Sequence, residues 1–112
     1  MNAFGRLAAL SGAVAVIAGA FGAHALTGDQ AQWMKTGGEY QLIHAVAAFA
    51  ARRFPLAATL LLFGSWLFAG SLYGLALGGG HWLGPVTPIG GGLMILGWCA
   101  LAWSNKEDRY ER

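Results

Sequence analysis

Charge is scarce in this sequence. Of its 112 residues only 11% are Asp, Glu, Lys or Arg, five of them acidic and seven basic. A soluble domain carries about 25%, so too few charges are present to coat a water-facing surface. The formal net charge is +2, and the basic residues form no stripe with interleaved aromatics, which excludes nucleic acid as a partner. Cysteine is nearly absent. Cys99 stands alone, so there is no disulfide within the chain and no multi-cysteine metal site. Inside its apolar run Cys99 reads as a small core residue.

What fills the chain instead is apolar residue, 56% of the total, together with 18 glycines. Glycine is commoner in membrane helices than in soluble ones. Four apolar segments can be drawn, at about 3–26, 33–51, 55–77 and 86–103. A helix rises about 1.5 Å per residue, so about 20 residues cross a hydrocarbon core of about 30 Å. The first and third segments satisfy this easily and the fourth is slightly short. The second spans only if its polar start, Trp33 to Gln41, lies in the membrane or at its edge. The expected fold is therefore all-α: one domain, residues 1–112, folded as a bundle of four transmembrane helices. The three prolines punctuate it. Pro55 suits the first turn of the third helix. Pro85 and Pro88 flank the start of the fourth, with Thr87 placed to cap it. Gly78, Gly79 and Gly80 are expected to end the third helix, and residues 27–38 form the longest connection, in part an interfacial helix.

Lys and Arg set the expected orientation. Arg6, Arg52, Arg53, Lys106, Arg109 and Arg112 fall on one side of such a bundle, and only Lys35 on the other. Positive charge gathers on the cytoplasmic side, which places both termini there. Trp33 and Trp82 would mark the outer interface, Phe54 and Trp103 the inner one. The tail from Ser104 mixes both signs and reads as a short solvated end. The first segment, with Arg6 before it and Ala23-His24-Ala25 after it, also has the outline of a signal peptide. Its apolar run is long for a signal core, which favours a retained helix.

Two sets of residues are candidates for more than spanning. Small residues let membrane helices approach closely. Gly12 and Gly19 belong to a small-residue stripe on the first helix, and Gly70, Gly74 and Gly78 recur every four residues on the third. Packing within the bundle is the plain reading; an interface between subunits, most readily on the third helix, is the functional one. The second set is polar: His24, Glu39, Tyr40, Gln41, His44, Tyr73 and His81. On the second helix Tyr40, Gln41 and His44 share a face, being three and four apart, whereas Glu39 lies about 140° from His44 at about 100° per residue. In one reading His24, Gln41, His44 and Tyr73 form interhelical hydrogen bonds that fix register. In the other, His24, Glu39, His44 and His81 carry a proton or bind a metal. Histidines at 24, 44 and 81 match no compact ligand motif, so no metal and no cofactor is assigned.

Read in order, Phe21-Gly22-Ala23-His24-Ala25-Leu26, Tyr40-Gln41 with His44-Ala45, Gly70-Ser71-Leu72-Tyr73, and Leu83-Gly84-Pro85-Val86-Thr87-Pro88-Ile89-Gly90-Gly91 resemble the YgdD/YwdK-like family of small inner-membrane proteins, a domain of unknown function. The resemblance spans nearly the whole chain. It implies a four-helix protein of the bacterial inner membrane and carries over no catalytic residue. The expected partners are the lipid bilayer and either further copies of the chain or a larger membrane complex. The leading expectation is a non-enzymatic packing protein; the alternative is a small proton, ion or solute transport component with a polar path near His24, Glu39 and His44.

Overall fold

A computed structural model describes the backbone of residues 2–111 and the side chains of residues 2–104. Four α-helices follow one another: α1 (Ala3–Ala25), α2 (Gly28–Ala50), α3 (Pro55–Ala76) and α4 (Val86–Glu111), with a 3-10 turn at His81–Leu83 between the last two. The basic residues Lys106, Arg109 and Arg112 and the mixed-charge tail lie outside the described side chains. Three stretches are long and apolar enough to cross a membrane, Ala3–Ala25, Pro55–Ala76 and His81–Ser104. α2 is not among them, because Asp29, Lys35 and Glu39 dilute its apolar content.

Local chemistry sets most of the boundaries. Asn2 caps α1, its Oδ1 accepting from the Gly5 N–H at 2.9 Å, which satisfies one of the orphan donors of a helix start. Pro55 opens α3 at its first turn, as its sequence position suggested. α3 closes in a Schellman turn. Gly78 takes φ 90°, and the Gly79 N–H reaches back to the Gly74 carbonyl at 2.7 Å. Only glycine enters that backbone region without strain. Thr87 does something other than cap α4: its hydroxyl pairs with that of Ser71 on α3, 2.5 Å away. The connection expected over residues 27–38 is helical almost from its start, so α1 and α2 are joined through Leu26 and Thr27 alone.

The helices run up and down, with α1 packed on α2, α2 on α3 and α3 on α4. α1 and α4 share no comparable interface among the described residues, so the bundle is an open one. One apolar cluster, built from Ala8, Ala48, Ala51, Ala58, Leu61 and Leu62, gathers near the α2–α3 connection; a second, of Ala18, Met34 and Ala76, lies toward the other end. Most side chains in both clusters are alanines, and the helices come close. α2 is pinched at Gly37-Gly38. A Cβ on Gly38 would lie 3.0 Å from the Ala15 carbonyl oxygen of α1, and one on Gly37 would run into the Tyr73 ring of α3. Across the α3–α4 interface the same service is given by Gly64, Gly90 and Gly97, where added carbons would meet Met94, Phe68 and Leu61.

The glycines singled out by spacing divide differently. Gly12 faces Ala45 of α2 at ordinary contact distance, and Gly19 is the residue against which Gly38 closes. Gly70 has open space where its Cβ would be, Gly74 lies under Leu83, and Gly78 is the left-handed turn residue. The regular repeat on α3 is thus not one helix-packing face. Cys99 also departs from expectation. It is exposed on the outer surface of α4 rather than packed in the core.

Candidate functional site

Besides the Ser71–Thr87 pair, the buried polar side chains that cross between helices form two hydrogen-bonded groups. The first centres on Gln41, only 5% exposed. Its Nε2 donates to Ser11 Oγ of α1 at 3.1 Å, and its Oε1 accepts from the Tyr73 hydroxyl of α3 at 2.6 Å. Ser11 Oγ accepts a second donor, the Trp66 indole N–H of α3, at 2.9 Å. Four side chains therefore tie three helices at one level, and both lone pairs of Ser11 are used. Beside this chain, Val14, Trp66, Gly70 and Tyr73 line a crevice between α1 and α3. The missing side chain of Gly70 keeps it open.

The second group centres on His44, also 5% exposed. Trp98 Nε1 of α4 lies 3.0 Å from His44 Nε2. An indole nitrogen can only donate, so Nε2 accepts and the ring proton sits on Nδ1. From there it donates to the Tyr40 carbonyl at 2.7 Å. Both ring nitrogens are engaged and the imidazole is neutral. The Tyr40 ring lies along His44 and packs against Phe68 at 4.8 Å. This group joins α2 to α4 as the first joins it to α1 and α3.

Of the polar residues chosen from the sequence, Gln41, Tyr73 and His44 are brought into interhelical bonds, with Tyr40 supporting His44. His24 is exposed on the last turn of α1, and His81 is exposed in the 3-10 turn. Glu39 is exposed on the opposite side of α2 from His44. Among the described residues no three His, Cys, Asp or Glu side chains come together in a metal-binding arrangement. Ser11, Trp66 and Trp98 were not among the residues chosen from the sequence. The available signal was a hydroxyl inside a small-residue stripe, Ala8, Gly12 and Ala15, at helical spacing.

A third feature faces outward. Lys35 and Glu39, one turn apart on α2, border a shallow groove between α1 and α2 whose floor is Ala15, Gly19 and Gly38. Both side chains are exposed, and among the described residues neither has a bonding partner.

Comparison with known proteins supplies the family. The sequence model described as Protein of unknown function (DUF423) matches residues 18–91. A Haemophilus influenzae protein named UPF0382 membrane protein is 38% identical, aligned over 96% of this chain and 97% of its own length. A Staphylococcus epidermidis protein, UPF0382 membrane protein SERP0230, is 40% identical over 90% and 93%. The Escherichia coli K12 protein named UPF0382 inner membrane protein YgdD is 39% identical over 84% and 82%. No solved structure matches the chain. With an all-helical fold, three helices apolar enough to cross a bilayer and relatives aligned over most of their length, this is a small multi-pass inner-membrane protein belonging to the DUF423 family.

Proposed function

We propose that the protein is a non-enzymatic packing component of the inner membrane, associating with itself or with a larger membrane complex. On this reading α2 is a fourth span and both termini are cytoplasmic. The observation that carries it is the use to which the buried polar groups are put. Gln41, Ser11, Trp66, Tyr73, His44 and Trp98 all hold helices together, which is the use of polar groups between membrane helices that packing calls for. Packing supports the fourth span. α2 lies along α1 and α3 over their length, so a membrane that takes up its two neighbours takes up α2 as well. Six basic residues against one, counted for that topology, support the orientation.

The transport reading draws on one feature, the charged groove at Lys35 and Glu39. Its other two residues are elsewhere: His44 is turned to α4, and His24 is at the end of α1. Native mass spectrometry after mild-detergent extraction, paired with crosslinking in whole membranes, tests the packing role. A species larger than the monomer, or a specific membrane-protein adduct, is the expected result. A monomer with no adduct would overturn it. Proton or ion flux in proteoliposomes that is lost in Glu39→Gln would instead establish transport.

A further inference from the structure

Arg52 and Arg53 stand at the end of the bundle where α1 and α3 begin and α2 stops. Each guanidinium lies over a neighbouring aromatic ring, Arg52 over Phe49 at 4.2 Å and Arg53 over Phe54 at 5.2 Å. Stacking of this kind holds the planar fork in place. Arg52 also donates from Nη1 to the Phe49 carbonyl at 2.7 Å, which uses one of its several donors. With Asn2 and Ala50 the two arginines line a pocket of about 410 Å³. Asn2 has committed its Oδ1 to the Gly5 N–H, so what it has left to give is its amide N–H₂. The polar side chains of this pocket are therefore donors, and two of them are cations. The start of α1, which Asn2 caps, adds partial positive charge. The acids among the described residues, Asp29 and Glu39, lie roughly 16 Å or more back along α2 from Ala50.

Ala50 belongs to a second hollow as well. With Ala47, Ala51, Phe54, Trp98 and Leu101 it lines an apolar groove of about 360 Å³ between α2 and α4. A cationic pocket whose wall continues into an apolar groove fits a ligand divided in the same way. A free anion would use the pocket and leave the groove bare. We propose that this end of the bundle holds one anionic phospholipid of the adjoining leaflet, its phosphate at Arg52 and Arg53 and the upper part of an acyl chain along the α2–α4 groove. Arginine's fork matches phosphate oxygens, and basic pockets beside membrane helices bind such headgroups. The groove follows α2 for roughly 4–5 Å from Ala50 to Ala47, so it grips the chain only near its glycerol end. The site requires α2 to span the membrane, as proposed above, but not that the protein packs with a copy of itself.

The test is native mass spectrometry of the whole protein, released from mild detergent with phosphatidylglycerol or phosphatidylethanolamine of matched acyl chains. The first lipid is anionic and the second has no net charge. Retention of phosphatidylglycerol roughly tenfold or more above phosphatidylethanolamine is expected. Arg52→Gln with Arg53→Gln should bring the two to parity, whereas Lys35→Gln, at the other end of α2, should change nothing. Ala50→Phe fills the junction of pocket and groove without altering charge, and should weaken retention of phosphatidylglycerol severalfold. Raising the salt about tenfold should erase the preference in the parent protein, an arm that stands even if the neutral variant does not fold. Equal retention of the two lipids, or a preference that survives loss of both arginines, would overturn the site. Displacement of phosphatidylglycerol by inorganic phosphate, with no effect of Ala50→Phe, would make the pocket a site for a free anion and overturn the lipid. A monomer that keeps its phosphatidylglycerol would leave this site standing while self-packing fails.

Discussion

Replacing Gln41 with Leu keeps most of the side chain's volume and removes both of its interhelical bonds, to Ser11 and from Tyr73. Interhelical hydrogen bonds in membrane proteins average about 0.6 kcal/mol and reach about 1.7. Two of them, with the Tyr73 hydroxyl then stranded, give an expected loss of about 1.5–3 kcal/mol. Tyr73→Phe removes one bond and leaves Gln41 Oε1 unpaired, for about 1–2 kcal/mol. The two changes share the 2.6 Å bond. The double variant should therefore cost less than the sum of the singles, by about 1 kcal/mol. Reversible unfolding of the purified protein in mixed micelles, titrated with denaturing detergent, measures all four corners of the cycle. Additivity within about 0.3–0.5 kcal/mol would mean that the two side chains do not act on each other, and the account of the bundle's centre would fail. A Gln41→Leu variant as stable as the parent would refute it more directly.

The same titration checks the close helix contacts. Gly38→Ala puts a carbon 3.0 Å from the Ala15 carbonyl oxygen and should cost about 1–3 kcal/mol, while Gly70→Ala, with no neighbour within 4 Å, should stay within about 0.5 kcal/mol. Equal effects at the two sites would contradict the packing described. Trp98→Phe leaves His44 Nε2 without its donor and is expected to cost about 1 kcal/mol, seen as a lower unfolding midpoint; an unchanged midpoint would show that α4 is held without this bond. Reporter domains fused to either end should both be active in the cytoplasm, and an active periplasmic reporter at one end would break the four-span topology.

How much of this could be read from the sequence depends on what each residue type announces by itself. The long apolar runs of α1 and α3 declare their helices, and Pro55 and the triple glycine declare where α3 begins and ends. α2 was harder, because Asp29, Lys35 and Glu39 make its first half look like a surface connection. Its helicity comes from lying between α1 and α3, a relation that no local pattern contains. Glycine spacing misled for a related reason. Gly70, Gly74 and Gly78 form the most regular repeat, yet they serve three unlike ends, while the irregular pair Gly37-Gly38 does the close packing, one residue toward each neighbour. In the polar cluster, Gln41, Tyr73 and His44 were identifiable as buried polar groups in need of partners. Gln41 and Tyr73 prove to be bonded to each other, but their other partners and that of His44 were not identifiable. Ser11 lies 30 positions from Gln41, Trp66 lies 55 from Ser11 and Trp98 54 from His44, and only the register of the helices brings each to its partner's level.

The two-residue link between α1 and α2 bears on how the protein enters the membrane. A charged side chain at a helix centre adds about 2.5–3.5 kcal/mol to insertion, so a helix with the content of α2 is a weak insertion signal when it emerges alone. Leu26 and Thr27 leave it no chance to emerge alone. In the folded chain α2 turns straight back along α1, and Gly38 lies beside Ala15 and Gly19 within the same hairpin. With α2 as the fourth span proposed above, the natural unit of insertion is the helical hairpin, α1 supplying the apolar surplus that α2 lacks. A longer, flexible link would separate the two decisions and leave α2 stranded at the membrane surface.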